Sequence, residues 1–335
     1  MTYSVHQHWD PLRVCAVGRS YAPEFYSFIK NSRVRSVMER IAIETEEDYQ
    51  KLIKLLESFG VEVLRSEIQE SHNYLLPGDS RYVQPPMTPR DYTAMIGDVF
   101  YHNFNTIKLD DFKSTLDKIA LTNKVIHHND PNLNSAMVTR CGKDLYFGTE
   151  DYNDDIVKTQ QHYQTQFPDH RCHIINTGGH SDGTFCPVVP GLIVSLYDVP
   201  SYAETFPGWE VVYLPGQSWS AVQPFLELKK KNQGKWWVPG EELNDEFTEF
   251  VENWVSHWVG YVEETVFDVN MLVIDEKNVV CNNYNEKVFA AFDRFSITPH
   301  IVNFRHRYFW DGGLHCITSD LHREGRQKDY FPERG

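Results

Sequence analysis

The stretch TEEDYQKLIKLLESFGVEVL, Thr45–Leu64, reads as a helix that runs straight into a strand. Thr45 is the expected N-cap, because its hydroxyl can accept from a first-turn N–H. Glu46, Glu47 and Asp48 behind it face the positive end of the helix dipole. Leu52, Leu55, Leu56 and Phe59 recur at helical spacing and make one apolar face. Gly60 leaves the helix, as glycine takes the left-handed C-terminal conformation without steric cost. Val61-Glu62-Val63-Leu64 then has the β-branched alternation of a strand.

The same rhythm returns along the chain: a break after a phenylalanine, then an apolar strand. Phe167-Pro168-Asp169 leads into Cys172–Ile175, Phe206-Pro207-Gly208 into Glu210–Leu214, and Phe295-Ser296 into His300–Phe304. Further strands are read at Met95–Tyr101, Lys143–Phe147, Leu192–Leu196 and Met271–Ile274, and after the Asp10-Pro11 turn at Val14–Val17. Repeated strand–helix–strand units predict an internally repeated α/β architecture. No Gly/Ser- or Pro-rich linker interrupts it, so residues 1–335 read as a single domain.

Composition narrows the function classes. With 41% apolar and 14% aromatic residues, the 335-residue chain can bury a large core. A net charge of −15 argues against nucleic acid or an anionic membrane as partner and is compatible with a small cation. No apolar run reaches the roughly 18 residues of a membrane span. The N-terminus lacks the basic start and apolar stretch of a secretion signal, so the cytoplasm is the expected compartment. Six cysteines without a C-x-x-C pair are expected as free thiols.

Gly234–Trp258 is rich in tryptophan and acid. Leu243, Phe247, Phe250 and Trp254 fall on one helical face, which is expected to pack inward or to form an entrance or subunit contact.

Three stretches look unlike scaffold. Pro86-Met87-Thr88-Pro89-Arg90-Asp91 sets an Arg–Asp pair between prolines and a strand. Gly178-Gly179-His180-Ser181-Asp182-Gly183 presents His180 and Asp182 two residues apart, on one side of an extended backbone. Gly312-Gly313-Leu314-His315-Cys316 brings a cysteine out of a glycine turn. Together they offer a thiol nucleophile, a proton carrier and carboxylates that can grip a guanidinium by paired hydrogen bonds. The plainer readings are a core cysteine and a structural Arg90–Asp91 ion pair. A metal site of His180, Asp182, Cys186 and His173 is a third, although its spacing matches no common zinc pattern. His315 reads as facing away from Cys316, with a structural role.

These motifs, in this order, resemble the glycine/inosamine amidinotransferases of the guanidine-modifying pentein superfamily, which includes the arginine deiminases. The resemblance runs from Trp9-Asp10-Pro11-Leu12 and Val17-Gly18-Arg19 through Met87–Asp91 to Arg140-x-Gly142-x-Asp144. It continues through His180–Phe185 with Pro190-Gly191, then Asn270–Lys277, and ends at Gly312–Thr318. It implies a five-bladed α/β propeller of ββαβ units around a central pocket. It also implies that Cys316 attacks the guanidinium carbon of an arginine-like donor and that His180 moves the protons. Asp91 and Asp182, with Arg90 beside them, would hold the small cationic guanidino substrate. An amine acceptor completes the reaction, no metal or organic cofactor is needed, and a homodimer is a further implication.

Four positions depart from the family pattern. Asn134 falls where the family has the aspartate that orients the histidine, with Asp130 as the alternative. Val199 replaces an arginine that binds the donor's carboxylate, and Glu263 and Glu264 replace two serines that also serve it. A pocket altered in this way would suit a donor with an amine in place of the carboxylate, as in agmatine. The alternatives are a hydrolase of guanidino compounds, in which water replaces the amine, and a catalytically inactive pentein that only binds.

Overall fold

The computed structural model describes residues 2–68, 74–76, 79–103, 112–149, 155–198, 201–214, 236–260 and 266–334. Val199, Glu263 and Glu264 lie outside the described residues, and so does Gly234.

The strands, in chain order, are β1 (Leu12–Val17), β2 (Glu62–Arg65), β3 (Thr93–Ile96), β4 (Val99–Asn103) and β5 (Lys124–His128). They continue with β6 (Val138–Cys141), β7 (Asp144–Thr149), β8 (Arg171–Asn176), β9 (Phe185–Val189) and β10 (Leu192–Ser195). The last are β11 (Glu210–Tyr213), β12 (Leu272–Asp275), β13 (Asn278–Cys281), β14 (Thr298–Ile301) and β15 (Thr318–Arg323). Among the described residues they form five three-stranded sheets. Four are built alike: an antiparallel hairpin, a helix in the connection, and a third strand parallel to the second. The fifth reaches the same pattern from both ends of the chain, β15 pairing antiparallel with β1 and β2 parallel with it. The repeat read from the sequence is thus an α/β unit. The run read as one strand, Met95–Tyr101, is a hairpin, since the backbone reverses at Gly97 and places β3 beside β4.

Hairpin turns are tight where other segments press on them. At Gly142 the φ angle is +64°, and a Cβ would stand 2.0 Å from the Lys328 carbonyl oxygen of the C-terminal tail. Only glycine meets both demands.

The first long helix begins well before Thr45. It spans Ser32–Ser58, capped by Asn31, whose Oδ1 accepts from the N–H groups of Arg33 and Val34. Val34, Val37, Met38, Ile41 and Ala42 extend the apolar face upstream. Thr45 is buried on that face, where its Oγ1 accepts a 2.9 Å bond from the Trp310 indole. A good capping residue in mid-helix thus answers a tertiary need. The helix in the Trp-rich segment, Asp245–Trp254, buries Phe247 and Val251. Leu243 is 80% exposed and Trp254 40%, so the inward face is narrower than the expected Leu243–Trp254 stripe.

One buried aspartate ties the sheets together. Asp320 on β15 accepts both oxygens' worth of bonds from Arg140 (2.8 and 2.9 Å), with Arg90 at 3.1 Å and Arg323 at 2.8 Å. The guanidiniums reach on to Met95 O of β3, Val273 O of β12 and the carbonyls of His315 and Thr318. All four side chains are 2% exposed or less. The three positive charges, working against burial, hold the Asp320 carboxyl well below the usual carboxylate range.

Among the described residues no helix is long and apolar enough to cross a membrane.

Candidate active site

Cys316 sits at the entry to β15, beside the end of β1, where the Gly18 N–H donates to the Ile317 carbonyl (2.9 Å). Asn270, just before β12, moulds the loop. Its Oδ1 accepts from the N–H of His315 (3.0 Å) and Cys316 (3.2 Å), and its Nδ2 donates to Cys316 Sγ at 3.0 Å. Asn282 holds the next turn through Leu314 N–H. The two asparagines press so closely on Gly313 that a Cβ there would stand 2.6 Å from Asn270 Oδ1 and 3.0 Å from Asn282 Nδ2. Gly313 therefore admits the asparagines that position the thiol.

The His180 loop follows β8. A single 3-10 turn, Ser181–Gly183, is anchored when Ser181 Oγ–H donates to Met137 O (2.9 Å) and Asp182 N–H to Ala136 O (3.2 Å). This sets Asp182 Oδ2 3.5 Å from Cys316 Sγ, with the thiol as donor. His180 Nδ1 lies 3.7 Å from Asp91 Oδ1, an ion-pair separation across two loops. The Asp182 side chain is 5% exposed, Asp91 30% and His180 40%. Asp182 and Cys316 therefore form a floor, with Asp91 and His180 at the mouth above it.

Electrostatics separate the groups. Burial, then the Asp182 and Asp91 charges, pushes the Cys316 thiol well above its ordinary value, while the Asn270 bond opposes the rise. Burial would raise the Asp182 carboxyl, but the His315 hydrogen bond first, and then the nearby charges of His180 and Arg90, hold it below its ordinary value. The resting site is a protonated thiol beside an ionised carboxylate. A cation entering there would be stabilised and would ease thiolate formation.

The remaining expected site residues lie elsewhere. Arg90 is fully enclosed: its Nε donates to the His315 and Thr318 carbonyls and its Nη2 to Asp320, so it braces the Cys316 loop. Asn134 turns its amide on its own loop, with Oδ1 accepting from Ala136 and Met137 N–H and Nδ2 donating to Pro131 O. Asp130 accepts from the Tyr163 hydroxyl and Asn132 N–H. Among the described residues, Asp91 is a carboxylate within ion-pair distance of His180. His315, expected to face away, donates from Nδ1 to Asp182 Oδ2 at 2.8 Å. Asn270 and His315 were not read as site residues. Asn270 stood in a recognised motif, but nothing local says that its amide reaches 46 residues down the chain.

Cys15, Cys141, Cys172, Cys186, Cys281 and Cys316 are all free. Among the described residues no group of three His, Cys, Asp or Glu side chains could hold a metal ion. A groove of about 1320 Å³ is lined by Arg19, Tyr21, Phe25, Glu46 and Lys54 among others, and by none of Cys316, Asp182, His180 and Asp91.

Comparisons with known proteins place this geometry in context. No family model matches the chain. It is 25% identical over 206 residues to the mitochondrial glycine amidinotransferase of Xenopus tropicalis, covering 60% of this chain and 41% of that protein. It is 23% identical over 216 residues to the L-arginine:L-lysine amidinotransferase of Pseudomonas savastanoi pv. phaseolicola, covering 62% and 49%. These alignments span less than half the length of those relatives. The fold matches SxtG, an amidinotransferase of the saxitoxin biosynthetic pathway from Microseira wollei, at a TM-score of 0.70 and 18% identity over 99% of this chain and 100% of that one. The amidinotransferase resemblance read from the motifs is thereby borne out in sequence and in fold.

Proposed function

We propose that the chain is an amidinotransferase that moves the amidino group of a guanidino donor to an amine through a covalent adduct on Cys316. The observation that carries this reading is the convergence of Cys316, Asp182, Asp91 and His180 from three separate loops. On this reading the five sheets are five blades around the Asp320 cluster, and the β1–β15 pairing joins the chain ends.

The donor's guanidinium lies between Asp182 and Asp91, its N–H groups donating to the carboxylates. Its positive charge offsets the two that keep the thiol protonated. The thiol proton passes to His180, and Cys316 Sγ attacks the guanidinium carbon. As the carbon–nitrogen bond to the donor amine breaks, His180 returns that proton to the departing nitrogen. An amidino group remains on sulfur. The acceptor amine then attacks, gives its proton to His180, and expels the thiolate, which His180 reprotonates. Asp91, within ion-pair reach of Nδ1, stabilises the imidazolium formed in each half.

The carboxylate of Asp311 adds to those of Asp182 and Asp91 in raising the Cys316 thiol. Such surroundings suit a donor with a second cation better than one with a carboxylate. Calorimetry with a Cys316→Ala protein decides it: tighter binding of agmatine than of arginine supports the dication, and clearly tighter binding of arginine sinks it.

The enzyme reading is tested by intact mass after quenching with candidate donors. An added amidino group on Cys316, absent from Cys316→Ala, is the expected result. Hydrolysis is the second reading, because His180 at the exposed mouth can activate water as readily as an amine. With labelled arginine and an amine, transfer yields ornithine and a guanidinated acceptor, whereas hydrolysis yields citrulline and ammonia.

A further inference from the structure

We propose that His315 is a positioning residue for Asp182: neutral, with its proton on Nδ1, it donates to Asp182 Oδ2 and keeps that oxygen ionised against the Cys316 thiol. The proposal rests on the guanidino reading for what Asp182 binds, but not for its test.

The geometry comes first. Asp182 Oδ2 is shared between His315 Nδ1 at 2.8 Å and Cys316 Sγ at 3.5 Å, so one oxygen couples the imidazole to the thiol. Backbone bonds already anchor residue 315: its carbonyl accepts from Arg90 Nε and Thr318 Oγ1, and its N–H donates to Asn270. Any side chain would leave those bonds in place. The imidazole is therefore not needed to build the loop, and its contact with Asp182 calls for its own explanation.

The tautomer follows from its neighbours. Burial, followed by the nearby Arg90 charge, depresses the His315 imidazole to about 4, although Asp182 and Asp320 pull it up. A neutral ring that faces a carboxylate with Nδ1 must carry its proton there, which leaves Nε2 as an acceptor. His8 is its complement. It is fully buried and held neutral, and it accepts from Arg140 N–H at Nε2, so its proton is on Nδ1. The two rings lie 6.1 Å apart beside a cavity of about 20 Å³ lined by His8, Ser135, Thr139, Asp182, His315 and Arg323. That volume holds one water. Asp182 Oδ1 and Ser135 Oγ, both buried and without a hydrogen-bond partner among the described residues, belong to residues lining it. A donor on His8 and an acceptor on His315 give this inner end a fixed polarity, with the His315 proton directed at Asp182.

The charges around this pair are Arg90 and Asp320 behind His315, Arg140 and Arg323 around His8, and His180, Asp91 and Asp311 on the side of Asp182 and Cys316. Of these, His315 alone hydrogen-bonds the Asp182 side chain besides Cys316, among the described residues. Its loss should let the carboxyl rise toward the value that burial dictates.

The test uses two thiol reagents, cationic chloroacetamidine and neutral iodoacetamide, and reads the ratio of their labelling rates at Cys316 by mass spectrometry from pH 3 to 8. Both need the thiolate, so the ratio reports the charge facing it; Asp91, Asp311 and His180 are common to every variant, so a shift between variants at residue 315 reports the charge of Asp182. In His315→Phe the midpoint of the ratio should move up by at least about one pH unit, a roughly tenfold loss of cation preference below it. His315→Asn, whose amide N–H replaces Nδ1–H, should stay within about threefold of the wild-type ratio, as expected for a retained single hydrogen bond. His315→Gln, whose amide lies at the Nε2 position, should behave like His315→Phe. A wild-type profile in His315→Phe overturns the proposal. If that variant does not fold, the Asn and Gln pair decides, and indistinguishable profiles overturn it. Absence of any amidino adduct alongside these shifts would sink the enzyme reading and leave the role of His315 intact.

Discussion

Two buried aspartates in this protein meet opposite fates. Asp320 has both oxygens filled by three guanidiniums and is a brace between sheets. Asp182 is almost as enclosed, yet among the described residues its Oδ1 has no partner, and its Oδ2 faces a neutral imidazole and a thiol. A carboxylate saturated with fixed cations has nothing left for a ligand. One held ionised by a neutral donor keeps its charge for a cation that arrives later. The number of fixed positive charges around each aspartate, rather than burial, separates the strut from the seat.

The contrast breaks most visibly by removing one charge at a time. Asp320→Asn leaves three buried guanidiniums without their common anion, and urea unfolding should show a loss of about 3–5 kcal/mol. Asp182→Asn should shift the same curve by no more than about 1 kcal/mol, because its hydrogen-bond partners among the described residues are an imidazole and a thiol rather than guanidiniums. Donor turnover should instead fall by about 10²–10³-fold, the usual effect of losing an oriented charge beside a reacting centre. If Asp182→Asn proved the more destabilising of the two, strut and seat would have been assigned the wrong way round.

Arg90 sharpens the same comparison. Arg90→Lys cannot reproduce the fork that spans Asp320 and the carbonyls of His315 and Thr318. A stability loss of about 2 kcal/mol with an unchanged donor KM is expected, being roughly two lost hydrogen bonds in a buried charged site. A raised KM with unchanged stability would return Arg90 to the substrate.

A buried group with no hydrogen-bond partner among the described residues completes the series. His102 on β4 is fully enclosed, with neither ring nitrogen bonded among the described residues. Burial, with His127 and His128 beside it, lowers its pKa to about 4. The folded protein therefore keeps His102 neutral where the unfolded chain, with an ordinary pKa near 6.5, takes up a proton. Stability is full above that value and falls as pH drops toward 4, by on the order of 2 kcal/mol. His102→Leu should flatten this dependence in unfolding midpoints measured between pH 4 and 7. The smallest effect belongs to Asn134→Ala: about 1 kcal/mol for a lost loop cap, with no change in the pH profile of the reaction.

Much of this was legible along the chain. The break after a phenylalanine followed by an apolar strand marks Phe59, Phe167, Phe206 and Phe295, and each introduces the third strand of a sheet. Hydrophobic period and turn chemistry are local, so they survive in one dimension. Thr45 shows the limit: by sequence it is a cap, but upstream apolar residues keep the helix going and Trp310 claims its hydroxyl. Arg90 and Asn134 show the same limit at the site. Residue type gave each a plausible chemical role, but their partners lie on Asp320 in one case and on the next turn of loop in the other.

By itself the sequence determined a repeated α/β architecture, a cysteine released from a glycine turn, and a histidine and carboxylates on loops at strand ends. These depend on spacing and backbone freedom, which neighbours along the chain decide. The tertiary structure alone decided which carboxylate would be filled and which left open. It brought Asn270 to the thiol, His315 to Asp182 and Asp91 to His180, through contacts between residues up to 133 positions apart. The charge a buried group keeps is set by everything packed around it, and that assembly has no signature in any single stretch of chain.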